Sequence, residues 1–134
     1  MEKKFRRDMS SLDNVFAFLN EFKKKSKLAH SVASNIDLIV EELFTNMIKY
    51  SSESPNDILI HIQRSDNKLI LILNDFDVEP FDITKVDEVD TNQCIEERKV
   101  GGLGIHLVKC IADEIDYEYC DRTSKITIIK NLET

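Results

Sequence analysis

The 134-residue sequence is poor in proline, glycine, cysteine and tryptophan, with two, three, three and none respectively. It also lacks any run of roughly 18 apolar residues, so it has no candidate membrane-spanning helix. The N-terminus has no apolar stretch of the signal-peptide kind, and we therefore expect a cytoplasmic protein without membrane contact. The cysteines form no C-x-x-C pair and leave one thiol over in any pairing, which argues against a disulfide framework and a zinc site.

Positive charge is scarce as well, since 18 basic residues stand against 25 acidic ones. The net charge of −7 argues against a protein that binds nucleic acid directly. A composition of 42% hydrophobic and 32% charged residues suits one compact domain over residues 1–134.

The glycines are not spread along the chain but lie together, as Gly101, Gly102 and Gly104. A chain that avoids glycine elsewhere and places all of it in four positions is predicted to need an unusual backbone there. Because an amphipathic helix is expected from Leu103, free backbone N–H groups at its start could bind an anion such as phosphate. The alternative is a tight loop with positive φ.

Hydrophobic periodicity predicts three helices and four strands. Apolar residues recur at helical spacing over Ser10–Leu28, Val32–Tyr50 and Leu103–Asp113. Apolar runs around turn residues predict two hairpins, the first from Ile58–Gln63 and Leu69–Asn74, the second from Tyr117–Tyr119 and Ile126–Ile129. The second strand is nearly all apolar and is expected at the centre of the sheet.

The order of these elements predicts an α+β protein, a two-layer sandwich in which helices cover one face of a sheet. Between the second strand and the third helix, residues 75–100 show no periodicity and are rich in acidic residues. A loop of this length in a small domain is typical of a lid or a binding loop.

Three polar positions are candidates for chemistry. Glu42 and Asn46 are four residues apart and share one face of the second helix, where a carboxylate could act as a general base and an amide oxygen as a Mg²⁺ ligand. Asp75 follows the apolar strand and could accept a hydrogen bond from an adenine amino group. The alternatives are a solvated polar pair on the helix and ordinary turn chemistry for Asp75.

Three segments taken together carry a family resemblance: Glu41-Glu42-Leu43-Phe44-Thr45-Asn46, Asn74-Asp75-Phe76-Asp77-Val78-Glu79-Pro80-Phe81-Asp82 and Gly101-Gly102-Leu103-Gly104-Ile105-His106-Leu107-Val108. In this order they resemble the N, G1 and G2 boxes of the GHKL ATPase superfamily. From about Leu12 to Leu132 the chain is most similar to the small stand-alone anti-sigma factor serine/threonine kinases of bacteria.

The resemblance implies the Bergerat sandwich fold, with a mixed, mostly antiparallel sheet, and ATP with Mg²⁺ as cofactors. It implies that Glu42 is the general base and that Asn46 binds Mg²⁺. The remaining nucleotide-binding positions would be Lys49, Asp75, Asp77, Arg98, Lys99, Gly101, Gly102, Leu103, Gly104 and Ile105, with a lid over about residues 82–100.

The implied activity is phosphorylation of a STAS-domain anti-anti-sigma protein by a kinase that also binds a sigma factor and forms a homodimer. In the G1 box, Asp77 stands where the family has glycine if Asp75 is the adenine aspartate. Aligning on Phe81 instead would place Phe76 at the aspartate position, and we prefer Asp75 because it ends the long apolar strand. The other interpretation is therefore a binding module, weak or inactive in catalysis, that sequesters a protein partner.

Overall fold

The computed structural model describes residues 1–50, 54–80 and 100–132, with the backbone alone for residues 100–105. These residues form β1 (Glu2–Phe5), a 3-10 turn (Met9–Ser11), α1 (Leu12–Ser26), α2 (His30–Tyr50), β2 (Ile58–Ser65), β3 (Lys68–Phe76), α3 (Val100–Ile111), β4 (Glu114–Cys120) and β5 (Thr123–Asn131). No helix in these ranges is long and apolar enough to cross a membrane. Apart from Val100, the predicted lid lies outside the described residues.

The strands form one sheet in the order β1-β2-β3-β5-β4, and each of these pairings is antiparallel. The nearly all-apolar strand β3 is at the centre, as its composition predicts. The predicted α+β sandwich is confirmed.

The core lies between the helices and one face of the sheet. Along β2 and β3 buried residues alternate with half-buried or exposed ones, because successive strand side chains point to opposite faces. The buried residues pack against one stripe of each long helix, which includes Leu19 of α1 and Phe44 of α2, both with no exposed surface. The helix-free face carries the half-buried residues.

α2 forms where the sequence predicts it, because its apolar residues recur every three to four positions and face the sheet. α1 ends in the lysine-rich segment, where Lys27 adopts a left-handed conformation with φ 51° and donates its N–H to the Lys23 carbonyl at 3.0 Å. The Lys23 ammonium also contacts the Asp37 carboxylate at 2.6 Å, which joins α1 to α2. The basic segment is therefore a capped helix end.

Several elements differ from the sequence prediction, and β4 and β5 extend beyond the predicted Tyr117–Tyr119 and Ile126–Ile129. The strand β1 was not predicted, because it is a four-residue edge strand in which only Phe5 is buried. α3 begins at Val100 rather than Leu103, so the three glycines lie inside its first turns. None of them has positive φ, and the prediction of an unusual backbone at the glycines is therefore wrong.

Candidate functional site

One stripe of α2 carries the polar side chains that the sequence singles out. Glu42, Asn46 and Lys49 follow each other by four and three residues, the spacing of neighbours on a helix surface. Their exposure increases away from the core: Asn46 is 7% exposed, Glu42 is half-buried and Lys49 is exposed. The Lys49 ammonium lies 5.3 Å from the centroid of the Tyr50 ring. The stripe thus runs from the core edge to solvent.

Asn46 is the polar residue of this stripe that the fold itself does not satisfy. Its Nδ2 atom is buried and has no hydrogen-bond partner among the described residues. An unsatisfied buried amide costs about 1–3 kcal/mol, so native proteins retain one chiefly where another group completes it. Asn46 therefore fits a position that contacts a ligand.

Glu42, one turn earlier, lies in an environment that disfavours its charge. Partial burial raises the pKa of the Glu42 carboxyl above its ordinary value, and repulsion from the neighbouring Glu41 carboxylate raises it further. A carboxylate with a raised pKa is a stronger base than an exposed one. The position therefore suits proton transfer.

Asp75 lies at the end of the central strand, in the same core-facing row as the apolar residues of β3. It is 3% exposed and is flanked across the sheet by Ile58 on β2 and Ser124 on β5. A carboxylate in this position is surrounded on most sides by protein, which raises the pKa of Asp75 through loss of hydration. The strand end is therefore a polar point in an apolar layer.

Arg7 is the counterion of this buried carboxylate. Its Nη2 atom contacts Asp75 Oδ1, and the two side chains are 5% and 4% exposed. A second guanidinium nitrogen, Nη1, donates to the Met47 carbonyl at 3.3 Å, near the C-terminal end of α2. The contact between Arg7 and Asp75 lowers the pKa of Asp75 and so opposes the effect of burial. Arg7 was not predicted as a site residue, because two adjacent arginines after a short edge strand do not show which of them enters the core.

Ser124 is a second residue near the candidate site that was not predicted from the sequence. It is 6% exposed and directly opposite Asp75 in the antiparallel register, so the two side chains share one face of the sheet. Its position in a predicted turn hid it. A signal was available in the sequence. Ser124, Ile126 and Ile128 are two residues apart, with polar residues between them, and this spacing extends the strand back to the serine.

Asp77 has the backbone conformation that favours glycine, with φ 56°. Its carboxylate does not point into the core but accepts from Arg122 Nε at 2.8 Å, and it is 48% exposed. Arg122 also binds Glu79 at 3.1 Å, and its carbonyl accepts from the Val78 N–H at 2.9 Å. The segment after β3 is thereby held against the turn between β4 and β5.

The glycine-rich segment places free backbone N–H groups at the start of α3, because the first four N–H groups of a helix have no intrahelical partner. The structure gives the backbone of Leu103 and Ile105 but not their side chains, and Arg98 and Lys99 lie outside the described residues. α3 packs against α2, the helix that carries Glu42 and Asn46.

The class of protein that this architecture defines is the GHKL-type ATP-binding sandwich: an antiparallel sheet with helices on one face. The family model described as histidine kinase-like ATPase domain matches residues 5–130. The chain belongs to this family. The resemblance to GHKL ATPases is thus confirmed, and membership of an ATPase family implies that the chain binds ATP.

Solved structures show the same fold. A chain of the SiaB–SiaC complex from Pseudomonas aeruginosa is similar with a TM-score of 0.73 and 15% identity, over 96% of this chain and 88% of that one. The histidine kinase AdeS of Acinetobacter baumannii is similar with a TM-score of 0.55 and 15% identity, over 100% of this chain and 68% of that one. A search of curated proteins finds no match.

Proposed function

We propose that the protein is an ATP-dependent serine/threonine protein kinase of the anti-sigma factor kind. The observation that carries the proposal is the α2 stripe, in which Glu42 and the unsatisfied Asn46 share one face of the helix that Arg7 joins to the buried Asp75. A half-buried carboxylate one turn from an amide ligand suits transfer of a phosphoryl group to a hydroxyl.

The nucleotide would lie across α2, the end of β3 and the start of α3. Asp75 would accept from the exocyclic amino group of adenine, with Ser124 beside it on the same face. The free backbone N–H groups of Gly101 and Gly102 in the first turn of α3 suit the phosphates, and Gly104, which has no side chain, would let them approach the helix closely. Lys49, Arg98 and Lys99 would supply positive charge, and Asp77, Leu103 and Ile105 complete the set of residues proposed to contact the nucleotide.

The residues present fit a magnesium ion. Asn46 offers a hard oxygen ligand, and rotation of its carboxamide would present either end to a bound group. In the described part of the chain no cluster of three acidic, histidine or cysteine residues could hold a metal by itself. This agrees with Mg²⁺, which takes few protein ligands beside phosphates and water and would neutralise charge on the phosphates.

Glu42 would act on the acceptor hydroxyl. The hydroxyl oxygen forms a bond to the γ-phosphorus as the bond to the β–γ bridging oxygen breaks, ADP leaves, and the hydroxyl proton passes to the Glu42 carboxylate. The raised pKa of Glu42 brings its basicity closer to that needed near neutral pH.

The proposed acceptor is a STAS-domain anti-anti-sigma protein in the bacterial cytoplasm, and a sigma factor is the second proposed partner. A chain of this fold is solved in complex with another protein in the SiaB–SiaC structure, which supports a protein partner here. A homodimer is part of the same proposal.

Single-turnover transfer of labelled γ-phosphate to a STAS-domain protein from the same genome tests the kinase proposal. Glu42→Gln keeps the shape of the side chain but cannot take the proton, so transfer should fall by about 10²-fold or more while ATP binding stays within a few fold. Glu41→Gln, on the exposed neighbour, is the matched control and should transfer at nearly the wild-type rate. Equal rates for wild type and Glu42→Gln would contradict the role of Glu42.

A second candidate is a nucleotide-binding module that regulates by sequestering its partner without phosphotransfer. Asp77 favours it, because an aspartate bound to Arg122 stands at the position that the resemblance assigns to glycine. Partner binding without transfer to any STAS-domain protein from the genome would support this candidate over the kinase.

A further inference from the structure

The contact between Arg7 and Asp75 lies where the proposed site would bind adenine. Neither of the two proposed functions assigns a role to Arg7. Both side chains are more than nine-tenths buried, so neither is there as a surface charge. A buried ion pair is costly to build and is weak support for stability by itself, because both ions lose their hydration. Its presence at this point in the fold calls for an explanation.

The position of Arg7 is fixed from two sides. One nitrogen of the guanidinium contacts Asp75 on the central strand, and another donates to the Met47 carbonyl in the last turns of α2. That carbonyl lies in the last turn of α2, where the aligned peptide dipoles of the helix concentrate partial negative charge. Arg7 therefore bridges the two elements that carry Asp75 and Asn46.

In the described part of the chain, Arg7 is the charged group that acts on Asp75. The flanking strand residues are Ile58 and Ser124, neither of which is charged. The buried residues in the last turns of α2 are the uncharged Asn46 and Met47. Burial raises the pKa of Asp75, and the contact with Arg7 opposes that rise. Among the described residues, Arg7 is therefore the group that favours the ionised form of this carboxylate.

We propose that Arg7 is a positioning residue for base recognition, which holds the Asp75 carboxylate ionised and fixed so that it accepts from the exocyclic amino group of a purine. The inference rests on the proposed nucleotide site and adds to it a residue outside the N, G1 and G2 boxes. Its chemical consequence is selectivity. An ionised carboxylate only accepts hydrogen bonds, so it suits a 6-amino group and disfavours a 6-oxo group, whereas a protonated carboxyl can donate to a 6-oxo group.

Titration calorimetry with Mg-ATP and Mg-ITP, whose bases carry a 6-amino and a 6-oxo group, tests this on the full chain. Arg7→Gln removes the charge but keeps N–H donors, Arg7→Lys keeps the charge, and Arg6→Gln is the matched control on the exposed neighbour. Each protein is measured at several values between about pH 5.5 and 8.5, after circular dichroism has confirmed folding.

We expect Arg7→Gln to bind Mg-ATP about tenfold or more weakly at neutral pH. This is the effect of losing one charge-assisted hydrogen bond, here the one between the Asp75 carboxylate and the amino group of the base. Its affinity should rise with pH as Asp75 ionises, and over this range the rise should be steeper than in wild type and Arg6→Gln, in which Arg7 favours the ionised form. The preference for ATP over ITP should fall in Arg7→Gln and be restored largely by Arg7→Lys. If Arg7→Gln does not fold, Arg7→Lys carries the test, with the pH profile of wild type and about three- to tenfold weaker binding expected.

Unchanged affinity, pH profile and ATP preference in Arg7→Gln would overturn the positioning role and leave Arg7 as a structural ion pair. Tighter ATP binding in that variant would overturn it in the opposite sense, because Arg7 would then compete with the base for Asp75. In both cases wild type still binds ATP and the proposed nucleotide site stands. Absence of binding by wild type itself would instead overturn the nucleotide site, and this inference with it.

Discussion

At the scale of the residue, the backbone conformation of Asp77 bears on the alignment of the G1 box. A left-handed conformation is costly for a residue with a Cβ and least so for aspartate and asparagine, which hydrogen-bond locally. The structure gives Asp77 φ 56° and pairs its carboxylate with Arg122. The turn conformation is thus kept although glycine is absent. This supports the alignment that places Asp75, rather than Phe76, at the position of the adenine aspartate.

The cost of this conformation can be measured with two substitutions at Asp77. Asp77→Ala and Asp77→Gly both lose the exposed ion pair with Arg122, so they differ mainly in the penalty for positive φ. We expect the glycine variant to be more stable than the alanine variant by about 1 kcal/mol. Urea denaturation of both proteins provides the free energies of unfolding. Equal stabilities would show that the segment after β3 relaxes to negative φ in the alanine variant.

The raised pKa of Glu42 predicts a pH dependence of stability. A carboxyl whose pKa is higher in the folded than in the unfolded protein favours folding while protonated, so its contribution is present below the ordinary glutamate value of 4.5 and is lost as pH rises through the folded pKa. Glu42→Gln should therefore be more stable than wild type at pH 7 and about equal at low pH. Thermal melts across this range measure the difference.

Glu41→Gln is the control for that series. Because Glu41 is exposed and acts on Glu42 only through repulsion, its removal should stabilise the protein less than Glu42→Gln does. A Glu42→Gln variant that is less stable than wild type at pH 7 would contradict the assignment of an unfavourable charge at this position.

At the scale of the element, the C-terminal end of α1 is capped by a lysine rather than by a glycine. Helices commonly end in a left-handed residue, usually glycine, and here Lys27 takes that conformation with φ 51°. We expect Lys27→Gly to raise the free energy of unfolding by about 0.5–1 kcal/mol. Lys24→Gly, at an exposed position in the last turn of α1, should lower it by up to about 1 kcal/mol. Urea titrations compare the two, and destabilisation by Lys27→Gly would contradict the capping role.

The elements that the sequence predicts well are those with long apolar periodicity. α2 and β3 repeat their apolar residues over many positions, so both their type and their place in the core could be predicted. β1 could not, since three of its four residues are exposed and it is stabilised by pairing with β2. The start of α3 was missed because glycine has a low helix propensity, and packing against α2 overrides that preference.

The candidate site divides in the same way. Glu42 and Asn46 could be predicted because their spacing on one helix fixes their common face. Arg7 and Ser124 could not, because their place beside Asp75 depends on pairings between segments distant in the chain. Sequence spacing reports contacts within an element, whereas contacts between elements need the topology.

At the scale of the whole molecule, polarity is unevenly distributed through the core. The buried layer between helices and sheet is almost entirely apolar, and its buried polar residues in the described ranges are Ser11, Asn46, Asp75 and Ser124. Asp75 and Ser124 are direct neighbours, and Arg7 connects Asp75 to the helix that carries Asn46. Because each buried polar group costs free energy unless it is paired, the connection of Asn46, Asp75 and Ser124 at one end of the sandwich supports the proposed site there.

A ligand bound at this end should stabilise the whole fold, since the unfolded chain cannot bind it. At a concentration about 100 times its dissociation constant, Mg-ATP should add about 2.7 kcal/mol to the free energy of unfolding and raise Tm by roughly 8–13 °C. Removing Mg²⁺ with a chelator should reduce the shift. Asn46→Ala in the presence of Mg²⁺ should match wild type without it, because this substitution removes the proposed metal ligand.

Asn20→Ala, on the exposed face of α1, is the matched control for the loss of an asparagine and should keep the full Mg²⁺-dependent shift. Differential scanning calorimetry measures Tm for each protein with and without nucleotide and chelator. A wild-type shift that does not depend on Mg²⁺, or an Asn46→Ala shift as large as that of wild type, would contradict Asn46 as the metal ligand. No shift at millimolar ATP would contradict nucleotide binding at this end of the sandwich altogether.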